Sequence, residues 1–166
     1  VKAARAATLV VAAVLAGLMA GLFAGFAYSV MPALRRSSDG VFVEVMQNIN
    51  VVIVNPLFMV LFMGGLVAAV AAVLTNWRPG SAAVRNWAVA GFFCYLLMFA
   101  ITTGISVPLN DKLAAAGDPA QIADLAAVRA QFEGPWVAWN IARAVASVGA
   151  LGCFAVALLR FRRGAL

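Results

Sequence analysis

Trp136, Trp139, Asn140, Arg143 and Ser147 stand at i, i+3, i+4, i+7 and i+11. On a helix that spacing puts all five on one face. Arg143 offers the most chemistry among them. Its planar guanidinium carries five N–H donors and a permanent charge, and can hold a carboxylate, an asparagine carbonyl or the oxygens of a ligand. It is also the one charged residue well inside a long apolar run. The chain has no histidine, which removes the commonest metal ligand and the usual neutral-pH base. Haem or zinc held by histidine is thereby excluded, and no metal site is expected. The two cysteines, Cys94 and Cys153, form no CxxC pattern and read as buried free thiols within apolar runs.

An arginine in such a run matters because of what surrounds it. Of 166 residues, 65% are hydrophobic and only 11% charged, against about 25% charged in a soluble domain. The chain is therefore expected to be all-α, a single integral-membrane four-helix bundle over residues 1–166. The net charge of +6 does not point to nucleic acid, since the basic residues gather at span ends.

The spans are expected at about residues 6–30, 51–74, 87–107 and 136–159. The first, at roughly 25 residues, is too long for a signal peptide's apolar region of about 7–15 and reads as a retained helix. In it Gly17, Gly21, Gly25 and Ser29 repeat every four residues, a stripe that admits a close neighbouring helix or leaves room for a flat ligand. After a polar turn with Asp39 as helix cap, Phe42, Val45, Met46, Ile49 and Val52 make an apolar stripe. Glu44, Gln47, Asn48 and Asn55 fall on another face. This predicts a short amphipathic lead-in that runs on into the second span, kinked near Pro56. The next connection holds Arg78, Pro79, Gly80 and Arg85, with Asn76 and Trp77 suited to an interface. Thr102, Thr103 and Ser106, late in the third span, can bond to their own helix backbone.

The longest connection, 111–134, contains Asp118-Pro119-Ala120-Gln121, which reads as cap, first-turn proline and capping-box glutamine. A short surface helix is expected to follow to about Phe132, with Ile122, Leu125, Val128 and Phe132 on its apolar side. Glu133-Gly134-Pro135 then restarts the chain into the fourth span.

Lys2, Arg5, Arg78, Arg85, Arg160, Arg162 and Arg163 lie at one end of the spans, while all six acids lie in the other two loops. The Lys/Arg bias puts both termini in the cytoplasm of a multi-pass bacterial plasma (inner) membrane protein. In that orientation Tyr28, Ser29, Asn48, Asn50, Asn55, Thr103, Ser106, Asn110, Asn140 and Arg143 share one level in the outer leaflet. Five of seven asparagines belong to that set. A polar pocket between the helices, opening outward, is the expectation.

Arg143, seven residues past Trp136, lies about 10 Å below the interface at 1.5 Å per residue, in a half-core of about 15 Å. Two arrangements satisfy it. It can snorkel outward beside Trp136 and Trp139, or point into the bundle towards asparagine carbonyls, a ligand, or the acids Glu44, Asp111 and Glu133.

Four motifs occur in order: Ala16-Gly17 through Pro32-Ala33-Leu34; Met46-Gln47-Asn48-Ile49-Asn50 followed by Asn55-Pro56-Leu57-Phe58; Val107-Pro108-Leu109-Asn110; and Trp136-x-x-Trp139-Asn140-x-x-Arg143. Together they resemble the anthrone oxygenase-like family of small four-helix membrane proteins over nearly the whole chain. The resemblance implies oxidation of anthrone- or hydroquinone-like aromatics by O₂ with no cofactor, neither metal nor flavin. Relatives often carry a histidine where Ile141 stands. On this reading Arg143 stabilises a substrate anion, and Asn140 and Asn110 orient it. Trp139, Phe26 and Tyr28 stack on a flat ring, Asn50 and Asn55 add polar contacts, and Glu44 or Tyr28 would be the base. The same pocket would equally suit a non-catalytic lipid- or quinone-binding protein, or an accessory subunit packing through the glycine stripe. The partners implied are the bilayer, a flat aromatic or lipid ligand, and a homo-oligomer or larger membrane complex, with no nucleic acid.

Overall fold

The computed structural model describes residues 2–78 and 81–163, so the expected turn residues Pro79 and Gly80 lie outside the described residues. Among the described residues there are five α-helices: α1 (Lys2–Leu34), α2 (Asp39–Val52), α3 (Pro56–Thr75), α4 (Ala82–Ala115) and α5 (Leu125–Arg163). All but α2 are long and apolar enough to cross a membrane. The 20 residues of α3 make about 30 Å, the thickness of a bilayer core. The other three reach about 50 to 60 Å and extend beyond it at the end where α2 lies, here called the capped end. Around the bundle the order is α1, α3, α4, α5, with α5 packed along both α1 and α4.

Small residues let the helices approach. Ala12, Ala16, Ala69, Ala72, Ala88, Ala150 and Ala157 are buried, interleaved with Leu9, Met19, Met98, Tyr95 and Phe154. In membranes such packing, rather than a hydrophobic force between helices, holds a bundle together. The expected glycine stripe is not where this happens. Gly21 and Gly25 have open space where a side chain would go, and Gly17 meets only Leu151 in ordinary contact. The close approaches are at Gly65, whose missing side chain makes room for the Tyr95 ring, and Gly91, against Phe154. Over Gly65 the Tyr95 hydroxyl donates to the Phe62 carbonyl at 3.0 Å.

Several boundaries differ from those expected, for local reasons. α1 and α4 do not end before Pro32 and Pro108 but continue through them, each after one wide π-helical turn, Phe26–Val30 and Thr102–Ser106. A proline lacks the N–H for the carbonyl four residues back and its ring pushes against that carbonyl. A π turn just before it opens the ladder where the clash would fall. The lead-in helix and second span are separate helices rather than one kinked helix. Asn55 ends the break between them by accepting from the Phe58 N–H at 3.0 Å, with Pro56 at the first helical position. Ser38, not Asp39, caps α2. On α2 it is Val43, not Val52, that joins Phe42 and Met46 in the interior.

The helix expected on the surface of the last loop is the beginning of α5, which runs unbroken through Gly134 and Pro135. Pro135 sits exposed on it, beyond the apolar core, where water can satisfy the carbonyl that its ring leaves free. Asp118 closes only a 3₁₀ turn, and Asp124 is the residue whose carboxylate accepts from the Ala127 N–H at the start of α5, at 2.9 Å.

The capped end has its own core: Phe42, Val43 and Met46 of α2 against Met31, Leu113, Phe132 and Trp136. Arg129 bolts it down. Its guanidinium donates to Asp39 at 2.9 Å, to the carbonyls of Ser37 and Arg35, and to Glu133 at 2.7 Å, and it lies over the Phe42 ring. Arg35 holds the other oxygen of Glu133 at 2.9 Å. At the opposite end Arg5 donates to Asn76 and Ser81, at 3.1 and 2.8 Å. Asn76 is thus fully buried rather than interfacial.

A methyl group at Gly91 would sit 2.8 Å from the Phe154 ring, whereas one at Gly21 meets nothing within 4 Å. Gly91→Ala is therefore expected to destabilise by about 1–3 kcal/mol and Gly21→Ala to be near neutral. Thermal unfolding in detergent checks this, and equal losses at the two sites would contradict the packing described.

Candidate functional site

Along α5 Phe132, Trp136, Asn140, Arg143, Ser147, Ala150, Phe154 and Ala157 are buried, with Ala144 and Ala146 buried beside them. The first eight are spaced three or four residues apart, the seam of a helix packed inside a bundle. Arg143 is on that seam and is only 6% exposed. Its guanidinium does point towards the capped end, but it stops beneath Trp136 instead of reaching the surface. The guanidinium carbon lies 4.3 Å from the centre of the Phe23 ring and 5.4 Å from that of Trp136. Two aromatic faces so placed replace part of the lost hydration of a cation. Nη2 donates to the Asn140 Oδ1 at 3.1 Å, and Asn140 Nδ2 donates to the Phe23 carbonyl at 2.9 Å. Asn140 thereby fixes both the arginine and the spacing of α5 from α1. Ser147 donates back to the Arg143 carbonyl at 2.8 Å.

No carboxylate pairs with Arg143: among the described residues the ion pairs are Arg35–Glu133, Arg129–Asp39 and Arg129–Glu133. Glu133 is thus engaged by two arginines in the cap. Instead Arg143 faces a cavity of about 100 Å³ between α1, α2, α3, α4 and α5. Phe23, Phe26, Phe58 and Trp136 supply aromatic walls, and Asn50, Ser106, Asn110 and Asn140 supply polar ones. Trp136 Nε1 donates to Asn110 Oδ1 at 2.9 Å, which ties α4 to α5 over the arginine. Among the described residues, three buried side-chain atoms lack a hydrogen-bond partner: Asn50 Nδ2, Ser106 Oγ and Arg143 Nε. All three residues line this cavity. Natural interiors leave few such groups, and each calls for an explanation. All three atoms can donate, so a group that satisfied them would have to offer acceptors.

A wider concavity of about 540 Å³ adjoins it, bordered by Gln47, Asn48, Asp111 and Asp118. Asn50, Val54, Val107 and Asn110 belong to both and form the neck between them. The inner cavity is below the roughly 300–1,000 Å³ of drug-sized ligand sites. A ligand of that size would therefore have to part the walls. Ile53 and Val54, both on the cavity, lie at the break between α2 and α3, just where the α2 ladder ends with the Ile53 N–H donating to the Ile49 carbonyl at 2.9 Å.

Of the residues singled out from sequence, the structure brings Arg143, Asn140, Asn110, Asn50 and Phe26 together on the cavity. Three others are elsewhere. Trp139 is 40% exposed, one step off the buried seam that Trp136 occupies. Tyr28 is 77% exposed, turned outward within the first π turn. Asn55 is spent capping α3, accepting from Phe58 N and donating to the Val52 carbonyl. Glu44 is exposed on α2 and off the cavity, and Asp111 reaches only the outer concavity. Ile141 is 47% exposed, on the flank away from the seam. A histidine at that position would not face the cavity either. Phe23 and Phe58 were given no site role from sequence, and Ser106 was placed at the polar level without one. Only the Ser106-Val107-Pro108 order, a hydroxyl two residues before a proline, hints at the widened turn. Among the described residues no three of His, Cys, Asp or Glu gather where a metal ion could be held.

Because Arg143 is desolvated with no counter-ion, its replacement by an apolar side chain of similar length should not cost stability. Arg143→Met is expected to unfold at about the same temperature, because relief of the buried charge offsets the Asn140 Oδ1 left without its donor. Asn140→Leu should lose about 1–3 kcal/mol by stranding the Phe23 carbonyl and the guanidinium. Thermal unfolding of both variants decides, and a collapsed Arg143→Met would make the arginine a structural element.

Neither a curated protein nor a solved structure matches the chain. The model of one family, described as anthrone oxygenase, matches residues 49–153, more than half of the chain. That stretch carries Asn50, Ser106, Asn110, Trp136, Asn140 and Arg143, the polar wall of the cavity together with the ring above it. By this match the chain belongs to the anthrone oxygenase family.

Proposed function

We propose that the protein is a cofactor-free oxygenase that converts an anthrone- or hydroquinone-type aromatic by reaction with O₂ in the Arg143 cavity. The observation that carries the reading is a buried guanidinium with no carboxylate partner, facing a cavity walled by aromatic rings and unpaired donors. Family membership agrees with it.

An anthrone has an acidic CH₂ across the ring from its carbonyl. Loss of a proton gives a delocalised anion whose charge rests largely on oxygen. Arg143 and Asn140 would bind that oxygen, which lowers the acidity barrier in a medium where a fixed charge acts strongly. Phe23, Phe26 and Trp136 would hold the ring plane. With no carboxylate on the inner cavity, the proton would leave to water in the adjoining concavity, which Asp111 and Asp118 border. Electron-rich anions of this kind react with O₂ directly, so the protein's task is to make the anion and exclude side reactions.

The distribution of charge supports an orientation. Lys2, Arg5, Arg78, Arg85, Arg160, Arg162 and Arg163 lie in the segments at the terminal end, and all six acids lie in those at the capped end. In a bacterial plasma membrane this would keep both termini cytoplasmic and open the cavity to the outer side. Asn48→Cys, at the mouth, should then react with an impermeant maleimide in intact cells. Labelling only after lysis would reverse the orientation.

In purified, detergent- or nanodisc-held protein, anthrone-dependent O₂ uptake is expected. Arg143→Ala should reduce its kcat by about 10²–10³-fold, the loss seen when an oxyanion-binding group is removed. Unchanged uptake removes Arg143 from the reaction. Retention of an aromatic or lipid ligand with no O₂ consumption by the unaltered protein would make it a binding protein instead.

A further inference from the structure

Hydroxyl side chains in membrane helices usually satisfy themselves on the backbone one turn back. Several of this bundle do so. Thr75 donates to the Ala71 carbonyl at 2.7 Å, Thr102 to Met98 at 2.9 Å, Thr103 to Phe99 at 3.1 Å and Ser147 to Arg143 at 2.8 Å. Ser106 is buried and does not. It is 1% exposed, its Oγ has no partner, and it lines the cavity from the last position of the second π turn. On the same cavity Asn50 Nδ2 is also buried and unpaired, and it comes from α2. Two neutral donors from two helices thus belong to residues that line a space whose charged donor, Arg143, comes from a third.

We propose that Ser106 and Asn50 form a second oxyanion subsite, which binds the dioxygen-derived oxygens while Arg143 holds the ring oxygen. The inference rests on the oxygenase reading above. Arg143 is pinned between the Phe23 and Trp136 rings and bonded to Asn140. Its permanent charge suits an anion that is present from binding onward. Neutral donors suit a charge that exists only in passage. O₂ itself gains little from a hydrogen bond, so these donors act only when it has become negative, and they favour the transition state over the bound reactants.

The step balances as follows. The ring anion passes one electron to O₂, giving a ring radical and superoxide. Their recombination forms the C–O bond and leaves a peroxide anion, to which Ser106 Oγ–H and Asn50 Nδ2–H donate. Water protonates the peroxide. The remaining proton on that carbon then leaves to water, the C=O bond forms, the O–O bond breaks and hydroxide departs. In sum a CH₂ group and O₂ become C=O and H₂O. A weakened subsite releases superoxide before recombination.

The test compares the unaltered protein with Ser106→Ala, Ser106→Thr and Asn50→Val in nanodiscs. An anthrone is titrated first without O₂, following the absorbance of its anion. The loaded protein is then mixed with O₂, and superoxide and hydrogen peroxide are measured. Ser106→Ala removes an unpaired group and should fold as the unaltered protein does. Its anaerobic affinity should stay within about 2-fold, while the O₂ step slows by about 10²-fold and superoxide escapes. Ser106→Thr, which keeps the hydroxyl, should recover most of the rate, and Asn50→Val should behave like Ser106→Ala. An unchanged O₂ rate in both Ser106→Ala and Asn50→Val overturns the subsite and leaves the oxygenase reading standing. So does a loss of anaerobic affinity that matches the loss of rate, which would make these donors ring contacts. An unaltered protein that binds the anthrone but consumes no O₂ overturns both.

Discussion

Inside a bilayer a guanidinium can be tolerated in three ways: by a carboxylate, by water drawn from the interface, or by aromatic faces and amide oxygens. Arg143 has the third. Phe23 and Trp136 flank it and Asn140 takes one of its donors. This arrangement is less complete than an ion pair, and that is its use. A carboxylate partner would neutralise the charge and occupy the donors, whereas aromatic faces leave Nε free and the field directed into the cavity. Asn140 makes the arrangement specific. Its amide joins the arginine to the Phe23 carbonyl of α1, so the position of the charge depends on the packing of α1 against α5.

The two π turns serve the same end. Both lie at the level of the cavity, and both precede a proline that continues rather than ends its helix. Widening a helix by one residue changes which side chains face inward beyond that point. In α4 this brings Ser106 onto the cavity two turns before Leu113 joins the core of the cap. The bundle thus keeps regular, alanine-rich packing at its terminal end and becomes irregular only where polar groups have to converge. Non-helical or strained backbone at membrane depth is tolerated where it lines such a space.

The cap completes the enclosure. α2 lies across the projecting ends of α1, α4 and α5 and brings Asn50 over the cavity, with Arg129 joining the turn before α2 to the start of α5. The cavity sits at the boundary of two cores, Phe23 and Phe58 belonging to the membrane core and Phe26 and Trp136 to the cap. A shift of one core against the other at the break between α2 and α3 would change the volume between them. This gives a small cavity a physical route to accept a planar ligand.

Composition alone determined the class of this protein. Sixty-five per cent hydrophobic residues in four long runs admit only helices in a membrane, because every backbone polar group must be paired within its own segment. The asymmetric charges and the clustered asparagines also placed polarity at one level, and Arg143, Asn140, Asn110 and Asn50 were legible from that clustering, whereas Phe26 came only from the family resemblance. What needed the tertiary structure was which side of each helix faces inward. Trp139 and Trp136 are equivalent by residue type, and only the three-four seam set by contact with α1 and α4 buries Trp136 and leaves Trp139 outside. Tyr28 and Ser106 both belong to π turns, one turned out and one turned in. Asn55, which looked like a neighbour of Asn50, is consumed by a helix end that exists because the chain breaks before Pro56. Helix formation is a local property, written in apolar length and caps. Helix rotation is decided by packing between residues far apart in the chain, and the unpaired donors of the cavity arise only from that packing.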